Sequence, residues 1–137
     1  MSEPRTLTPP LTGVLVRDCM HPGVLTCAPD DSLRDVAAIM ANHRVHAVVI
    51  TTGSAERAVG VVSDLDVVAA VAAMSDCTAG QAGATEALTV SADEPLGSAA
   101  HLMNEHGVSH LVVLNSARGY PLGVLSSLDI AAVYAES

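Results

Sequence analysis

The sequence repeats itself after 63 residues without a gap, and this repeat constrains the fold more than any other feature. When the chain is displaced by 63 positions, identical residues superimpose throughout the unit, as Met40 does on Met103 and Asp66 on Asp129. A repeat of this length indicates two copies of one supersecondary unit. We therefore divide the chain into a flexible, proline-rich lead (1–11), a first repeat (12–74) and a second repeat (75–137).

Each repeat predicts the same order of elements, β-α-β-β-α. An extended segment (VLTC at 24–27, ALTV at 87–90) precedes a helix whose apolar residues recur at helical spacing. Two β-rich segments joined by a longer loop then predict a hairpin, at 46–51 with 58–62 and at 110–114 with 121–125. Apolar helices at 63–74 and 126–137 close the repeats. Two such units should pack about a pseudo-two-fold axis, which gives an α+β fold.

The second repeat helps to place the start of the first helix in each unit. Pro95 suits the first helical position, because the missing N–H is not needed there. This choice makes Glu94 the N-cap and, by the repeat, Asp31 the N-cap in the first unit.

Charge and composition exclude several classes of protein. The net charge is −9, and six arginines with no lysine supply all the basic side chains. Nucleic-acid polymers and anionic membrane surfaces need a basic patch, so we predict neither as a partner. There is no signal-peptide pattern and no long apolar run, and three cysteines do not suggest a disulfide framework, so we predict a reduced cytoplasmic protein.

Surface coverage follows from the same numbers. Half of the residues are hydrophobic while only 15% are charged, which leaves few polar side chains to cover the surface. We therefore expect some apolar surface to be covered by a partner or by a second copy of the chain.

The closing motifs GVVSDLD (60–66) and GVLSSLD (123–129) allow two interpretations. A serine followed three residues later by an aspartate is a common helix cap without any function. However, the glycine of each motif permits close approach by a ligand or another backbone, the helix start favours an anion, and a carboxylate can accept from both hydroxyls of a ribose. The two interpretations are compatible.

The tandem unit resembles a pair of CBS domains, also called a Bateman module, over about residues 12–137. The resemblance lies in residues 16–33, in the strand VHAVVI (45–50) and in both closing motifs, which match a Gly, two apolar residues, Ser or Thr, two variable residues and Asp. It implies a stand-alone regulatory protein that binds an adenosyl ligand such as AMP, ADP or ATP between the repeats. It also implies a homodimer and an unidentified regulated protein, with no required cofactor; the nucleotide would act as ligand, alone or with Mg²⁺.

The resemblance assigns roles to residues of both repeats. The aspartates would hold the ribose and the serines would contact ribose or phosphate, whereas residues of the first strand and the hairpin would hold the adenine. The residues assigned in this way are Ser63, Asp66, Ser126, Asp129, Thr26, Ala47, Val48, Thr89 and Leu111.

The sequence departs from the family pattern where phosphates would bind. Leu65 and Leu128 stand where family members often have a basic residue before the motif aspartate. Arg44 is the best candidate among the few remaining cations. We therefore favour a ligand of low charge, or a ligand in only one of the two clefts, with a ligand-free interaction module as the alternative.

Other groupings of reactive side chains predict less. The spacing of Cys19, His21 and Cys27 fits no standard zinc set. His46 and His110 lie near the hairpin strands, so either could face a cleft. Neither motif serine has a histidine at a position that would indicate a catalytic triad, and the lysine of a Walker loop is missing, so we do not expect an enzyme.

Overall fold

The computed structural model describes residues 13–53, 57–83 and 88–136. The proline-rich lead predicted at 1–11 lies outside these residues, as do the middle of the first hairpin loop and Ala87. A 3₁₀ turn (Val16–Asp18) precedes seven strands and five helices in the described part of the chain. Their order is β1 (His21–Pro22), β2 (Thr26–Cys27), α1 (Leu33–His43), β3 (Ala47–Thr52), β4 (Arg57–Ser63), α2 (Asp64–Ala72), α3 (Ala79–Ala82), β5 (Thr89–Ser91), α4 (Leu96–His106), β6 (His110–Leu114), β7 (Pro121–Ser126) and α5 (Ser127–Glu136).

The strands form two separate sheets, each built on the hairpin of one repeat, and β1 of the first repeat joins the sheet of the second. The first has the order β2-β3-β4, and the second has the order β1-β7-β6-β5. In both, the entry strand runs parallel to the first hairpin strand, and the hairpin is antiparallel with a bulge near its loop. The predicted α+β architecture of tandem β-α-β-β-α units is confirmed.

Each repeat lends its leading segment to the other repeat. Leu15 forms an isolated bridge with Pro95, and Thr78 forms the corresponding bridge with Ser32. These pairs are related by the 63-residue displacement, so the exchange is reciprocal. It ties the two units together about the pseudo-two-fold axis that the repeat predicts.

Two hydrophobic cores result, and each contains one residue donated by the other repeat. Val16 is fully buried in the core of the second repeat, among Leu96, Leu111 and Leu125. Its counterpart Ala79 is fully buried in the core of the first repeat. Removing either segment would therefore open the core of the other unit.

The predicted caps of the first helices are one residue too early. Ser32, not Asp31, is the N-cap of α1, and its Oγ accepts a hydrogen bond from the Asp35 N–H at 3.1 Å. Pro95, not Glu94, occupies the corresponding position before α4 and makes no side-chain cap. The backbone of Pro95 is extended, with ψ of 142°, as is usual for an N-cap, but a proline side chain has no oxygen that could accept a hydrogen bond from the helix.

Candidate functional site

A cleft of about 800 Å³ lies where the two repeats meet. The first repeat contributes the backbone turn before β2 (Gly23–Leu25), the end of α1 and the start of β3, with Ala47 among them. The second repeat contributes the start of β6 and the junction between β7 and α5, including Ser126. The apolar wall predicted in one repeat thus faces the start of the Ser-x-x-Asp motif of the other repeat, of which Ser126, Ser127 and Leu128 line the cleft whereas Asp129 does not.

The first motif forms a complete cap at the start of α2. The Ser63 Oγ accepts from the Asp66 N–H at 3.3 Å, and the Asp66 Oδ2 accepts from the Ser63 N–H at 2.8 Å. The Ser63 hydroxyl also donates to Asp66 Oδ2 at 3.1 Å. This arrangement is a capping box, which confirms that the first motif acts as a helix cap.

The second motif repeats the cap but adds a partner from outside the motif. The Asp129 N–H donates to Ser126 Oγ at 3.2 Å, and the Ser126 N–H donates to Asp129 Oδ2 at 2.8 Å. The other carboxylate oxygen, Asp129 Oδ1, lies 2.9 Å from His21 Nε2. The Asp129 side chain is only 11% exposed whereas His21 is 76% exposed, so an exposed imidazole contacts a nearly buried carboxylate.

Glycine in the second motif serves a backbone contact. A Cβ atom added to Gly123 would lie much too close to the carbonyl oxygen of His21, because β1 pairs with β7 at this point. Of the two uses that the sequence allowed for this glycine, close approach of another backbone is the one that the structure shows. The glycine therefore helps to place His21 beside Asp129.

Histidines line the cleft more densely than the sequence suggested. His21, His43, His46 and His110 all border it. The His46 Nδ1 lies 2.8 Å from Asp64 Oδ2, and this hydrogen bond lowers the pKa of the Asp64 carboxyl. The sequence predicts that His46 or His110 faces a cleft, and both border the same one.

His110 is the histidine most affected by its surroundings. Burial lowers its pKa, and the nearby His46 adds to that effect, while Asp64, Asp129 and Asp66 oppose it. Its Nδ1 lies 3.0 Å from the Ser109 Oγ. The imidazole thus sits on the cleft wall between carboxylates of both motifs and tends to stay neutral.

Arg44 borders the cleft at the end of α1. It is the C-cap of that helix and has a left-handed backbone, with φ of 53°. The same position in the second repeat is Gly107, with φ of 63°. Of the arginines that the structure describes, Arg44 alone lines the cleft. The left-handed backbone at position 44 is strained for arginine and would be unstrained for glycine.

The remaining residues that the resemblance assigns to the site lie in different places, and only one of them lines the cleft. Ala47 lines the cleft, but Val48 and Leu111 are fully buried in the two cores, so their side chains are not available to a ligand. Thr26 is exposed on β2 and does not line the cleft. Thr89 borders a separate groove of about 450 Å³ beside β5 and β6.

The three cysteines are free and separate. Cys27 is buried in the core of the first repeat, where burial and Asp31 raise its pKa to about 11, and Cys19 packs against the core of the second repeat. Across residues 13–53, 57–83 and 88–136, no three His, Cys, Asp or Glu side chains are grouped as a metal site.

The closing helices leave apolar side chains on the surface. On and just after α2, Leu65, Val68, Val71 and Met74 are each at least 60% exposed, and Leu128 on α5 is 70% exposed. No helix in the described part of the chain is long and apolar enough to cross a membrane.

Comparison with known proteins gives a family match for both repeats. The model of the family described as CBS domain matches residues 16–73 and 80–136. A search of curated proteins gave no match.

Solved structures show the same fold over nearly the whole chain. The CBS domain protein PAE2072 from Pyrobaculum aerophilum, complexed with AMP, is 29% identical with a TM-score of 0.80, and the match covers 90% of this chain and 97% of that one. The CBS domain pair of protein MJ0100, in complex with 5′-methylthioadenosine and S-adenosyl-L-methionine, is 23% identical with a TM-score of 0.81, over 90% and 97% of the two chains. Hypoxic Response Protein I with two coordinated zinc ions is 27% identical with a TM-score of 0.71, over 87% and 98%.

Proposed function

The chain belongs to the CBS-domain family and contains two CBS domains in tandem, and we propose that it is a regulatory module that binds an adenosine-containing ligand between them. The observation that supports this most is the composition of the cleft. It joins a Ser-x-x-Asp helix start in the second repeat to an apolar wall in the first, in a volume of about 800 Å³. That volume lies within the range of small-molecule sites, and a few polar groups among apolar ones is their usual chemistry.

The carboxylates are assigned to the ribose. Asp129 does not itself line the described cleft but contacts His21, which does, and it would accept hydrogen bonds from the two ribose hydroxyls at this edge of the cleft. Ser126, which lines the cleft, would donate to ribose or phosphate. Ser63 and Asp66, which do not line the described cleft, would serve an equivalent site at the start of α2. The 29% identical relative solved with AMP supports an adenosyl ligand for this chain.

The scarcity of fixed positive charge favours a ligand of low charge. Arg44 is the one arginine at the described cleft, and Leu128 is there in place of a basic residue. A triphosphate would need several cations or Mg²⁺ to neutralise it. AMP or an uncharged adenosine derivative therefore fits better than ATP.

The role is proposed to be binding and not catalysis. Both motif serines accept helix N–H groups through Oγ, and among the described hydrogen bonds neither serine contacts a histidine. A serine nucleophile requires such a base. We also propose a homodimer through the apolar side chains of α2 and α5, a regulated protein that responds to ligand occupancy, and a cytoplasmic location in keeping with the free cysteines.

Calorimetric titration with adenosine, AMP, ADP, ATP and S-adenosylmethionine tests the ligand. We expect AMP or adenosine to bind more tightly than ATP without Mg²⁺. Asp129→Asn should weaken binding in the described cleft at least tenfold, because an amide has one oxygen that can accept from a ribose hydroxyl whereas a carboxylate has two. Absence of heat and of a thermal shift with all five compounds at millimolar concentration would contradict the proposal.

The chain offers a matched control for this variant. Ser32 and Asp35 form the same serine-to-aspartate N-cap contact at the start of α1, and neither residue lines the cleft. Asp35→Asn therefore makes the same charge change in the same turn of a helix and should leave ligand affinity as in the wild type. Equal losses in both variants would mean that Asp129 acts through charge or stability alone.

One observation favours a second candidate, a ligand-free interaction module. Both oxygens of Asp129 already have partners within the chain, His21 and the Ser126 N–H. In that case partner proteins captured by the module should be the same with and without nucleotide, and Asp129→Asn should not change them.

A further inference from the structure

We propose that His21 is a proton-dependent intramolecular competitor for Asp129, so that the affinity of this cleft for a ribose falls as the pH is lowered. The inference rests on the proposed function, because it concerns access of a ligand to the same carboxylate. It adds a residue, His21, that neither the family match nor the resemblance assigns to the site.

The contacts leave no unused oxygen on Asp129. The Oδ2 atom accepts from the Ser126 N–H at 2.8 Å, which fixes the helix start, and the Oδ1 atom is 2.9 Å from His21 Nε2. Only 11% of the Asp129 side chain is exposed, and the atom in contact with Oδ1 belongs to an imidazole that is 76% exposed. A ribose hydroxyl that approaches Oδ1 therefore competes with His21 for this oxygen.

The backbone of His21 is fixed while its side chain is not enclosed. Strand β1 pairs with β7, with His21 opposite Val124, and the Gly23 N–H donates to the Leu122 carbonyl at 3.1 Å. The imidazole itself is 76% exposed and borders the cleft. Rotation of one side chain is thus enough to release Asp129 Oδ1, without any change in the fold.

The two motifs differ in this contact. Displacement by 63 positions places Ala84 opposite His21 in the sequence, so the repeat does not supply a second histidine at this position. In the first motif, the hydroxyl of Ser63 donates to Asp66 at 3.1 Å. Competition by histidine is therefore a property of the Asp129 motif and not of the repeat.

The sign of the effect follows from the charges near His21. Asp129 on α5 is the carboxylate in contact, and the Cys19 thiol, whose pKa is raised by burial, by Asp18 and by Asp129, lies on the same segment of chain. Across the cleft stand His110, His43, Arg44, His46 and Asp64. Protonated His21 forms an ion pair with Asp129 and competes strongly, whereas neutral His21 offers one ordinary hydrogen bond and competes weakly.

Adenosine is the right probe because it has no phosphate. A phosphate would be attracted by every protonated histidine of the cleft, and this attraction would mask the competition. With adenosine, affinity should rise as the pH is raised through the range in which histidines lose their proton.

The experiment measures adenosine affinity by calorimetry at about pH 5.5 and about pH 8, on either side of the usual histidine range. All proteins contain Asp66→Asn, so that only the Asp129 cleft responds. With His21 present, we expect about two- to fivefold weaker binding at the lower pH, the ratio for a partly exposed ion pair. The His21→Ala protein should bind adenosine with the same affinity at both pH values. That affinity should equal or exceed the affinity that the protein with His21 shows at about pH 8.

His46→Ala provides the matched control, because His46 borders the same cleft and pairs with a carboxylate, Asp64, outside the ribose-binding pair. It should keep the pH dependence. The inference is wrong if His21→Ala retains the pH dependence, or if it binds adenosine more weakly than the parent at both pH values. If the protein without any substitution and the His21→Ala protein both fail to bind any adenosyl compound, the proposed function fails and the inference with it.

Discussion

Gly123 lies directly beneath the carbonyl oxygen of His21, where strand β1 joins the sheet of the second repeat. A Cβ atom on residue 123 would come within 3.0 Å of that oxygen, closer than real Cβ contacts. The glycine of the second motif is therefore required by β1, and through β1 it determines where the His21 imidazole lies.

The first prediction concerns this contact. Gly123→Ala should lower the free energy of unfolding by at least about 2 kcal/mol, because backbone atoms must move to admit the methyl group. Gly97→Ala is the control, since nothing lies within 4 Å of its added Cβ and alanine favours the helix. That variant should gain about 0.5 kcal/mol. Urea denaturation measures both, and equal stabilities would contradict the assigned contact.

A second prediction separates stability from function at Arg44. Arg44→Gly should stabilise the fold by about 0.5–1 kcal/mol, because glycine adopts φ of 53° without strain, as Gly107 does in the second repeat. The same change removes the arginine of the described cleft, so AMP affinity should fall towards that of adenosine. Thermal unfolding and calorimetry measure the two effects, and a destabilised variant with unchanged preference for AMP would show that both assignments are wrong.

A third prediction uses the two serine caps. Ser126→Ala and Ser32→Ala should each cost about 1 kcal/mol of stability, because each removes an oxygen that accepts a helix N–H. Only Ser126 lines the cleft, so only Ser126→Ala should also weaken ligand binding. If both variants bind as the wild type does, Ser126 is a cap and nothing more.

A fourth prediction concerns acid stability. Burial lowers the pKa of His110 below its ordinary 6.5, so the unfolded state binds the proton more readily than the folded state. The free energy of unfolding should therefore decrease as the pH falls below 6.5, until the lower pKa of the folded state is passed. His110→Gln should reduce this slope.

His101→Gln is the control for the acid-stability measurement. His101 is exposed on α4 and does not line the cleft, so its replacement should leave the slope of the wild type. Denaturant titrations at a series of pH values give the slopes. An unchanged slope in His110→Gln would contradict the assignment to this residue.

Much of the fold followed from the sequence because its causes are local. Alternating and helical patterns predicted the elements of both repeats, and the strand predicted at 110–114 agrees with the observed β6. The helix starts were wrong by one residue, since Asp31 and Ser32 are both good caps and only the backbone selects between them.

The elements that the sequence did not reveal are short and depend on the other repeat. The 3₁₀ turn at Val16, strand β1 and helix α3 contain at most four residues each, too few for a periodic pattern. They are stabilised by distant contacts, as where the Val16 N–H donates to the Glu94 carbonyl at 2.9 Å. The equal spacing of Val16 and Ala79 by 63 residues was the one sign in the sequence that these segments correspond.

What the sequence by itself determined is the pair of capped helix starts, because a serine and an aspartate three residues apart meet through the geometry of a single turn. Only the tertiary structure decided which wall each motif faces and that His21 contacts Asp129. Those contacts join residues of different repeats, and their geometry depends on how the two sheets and the exchanged leading segments pack. The repeat made the two motifs alike in sequence, and the packing of one histidine made them different.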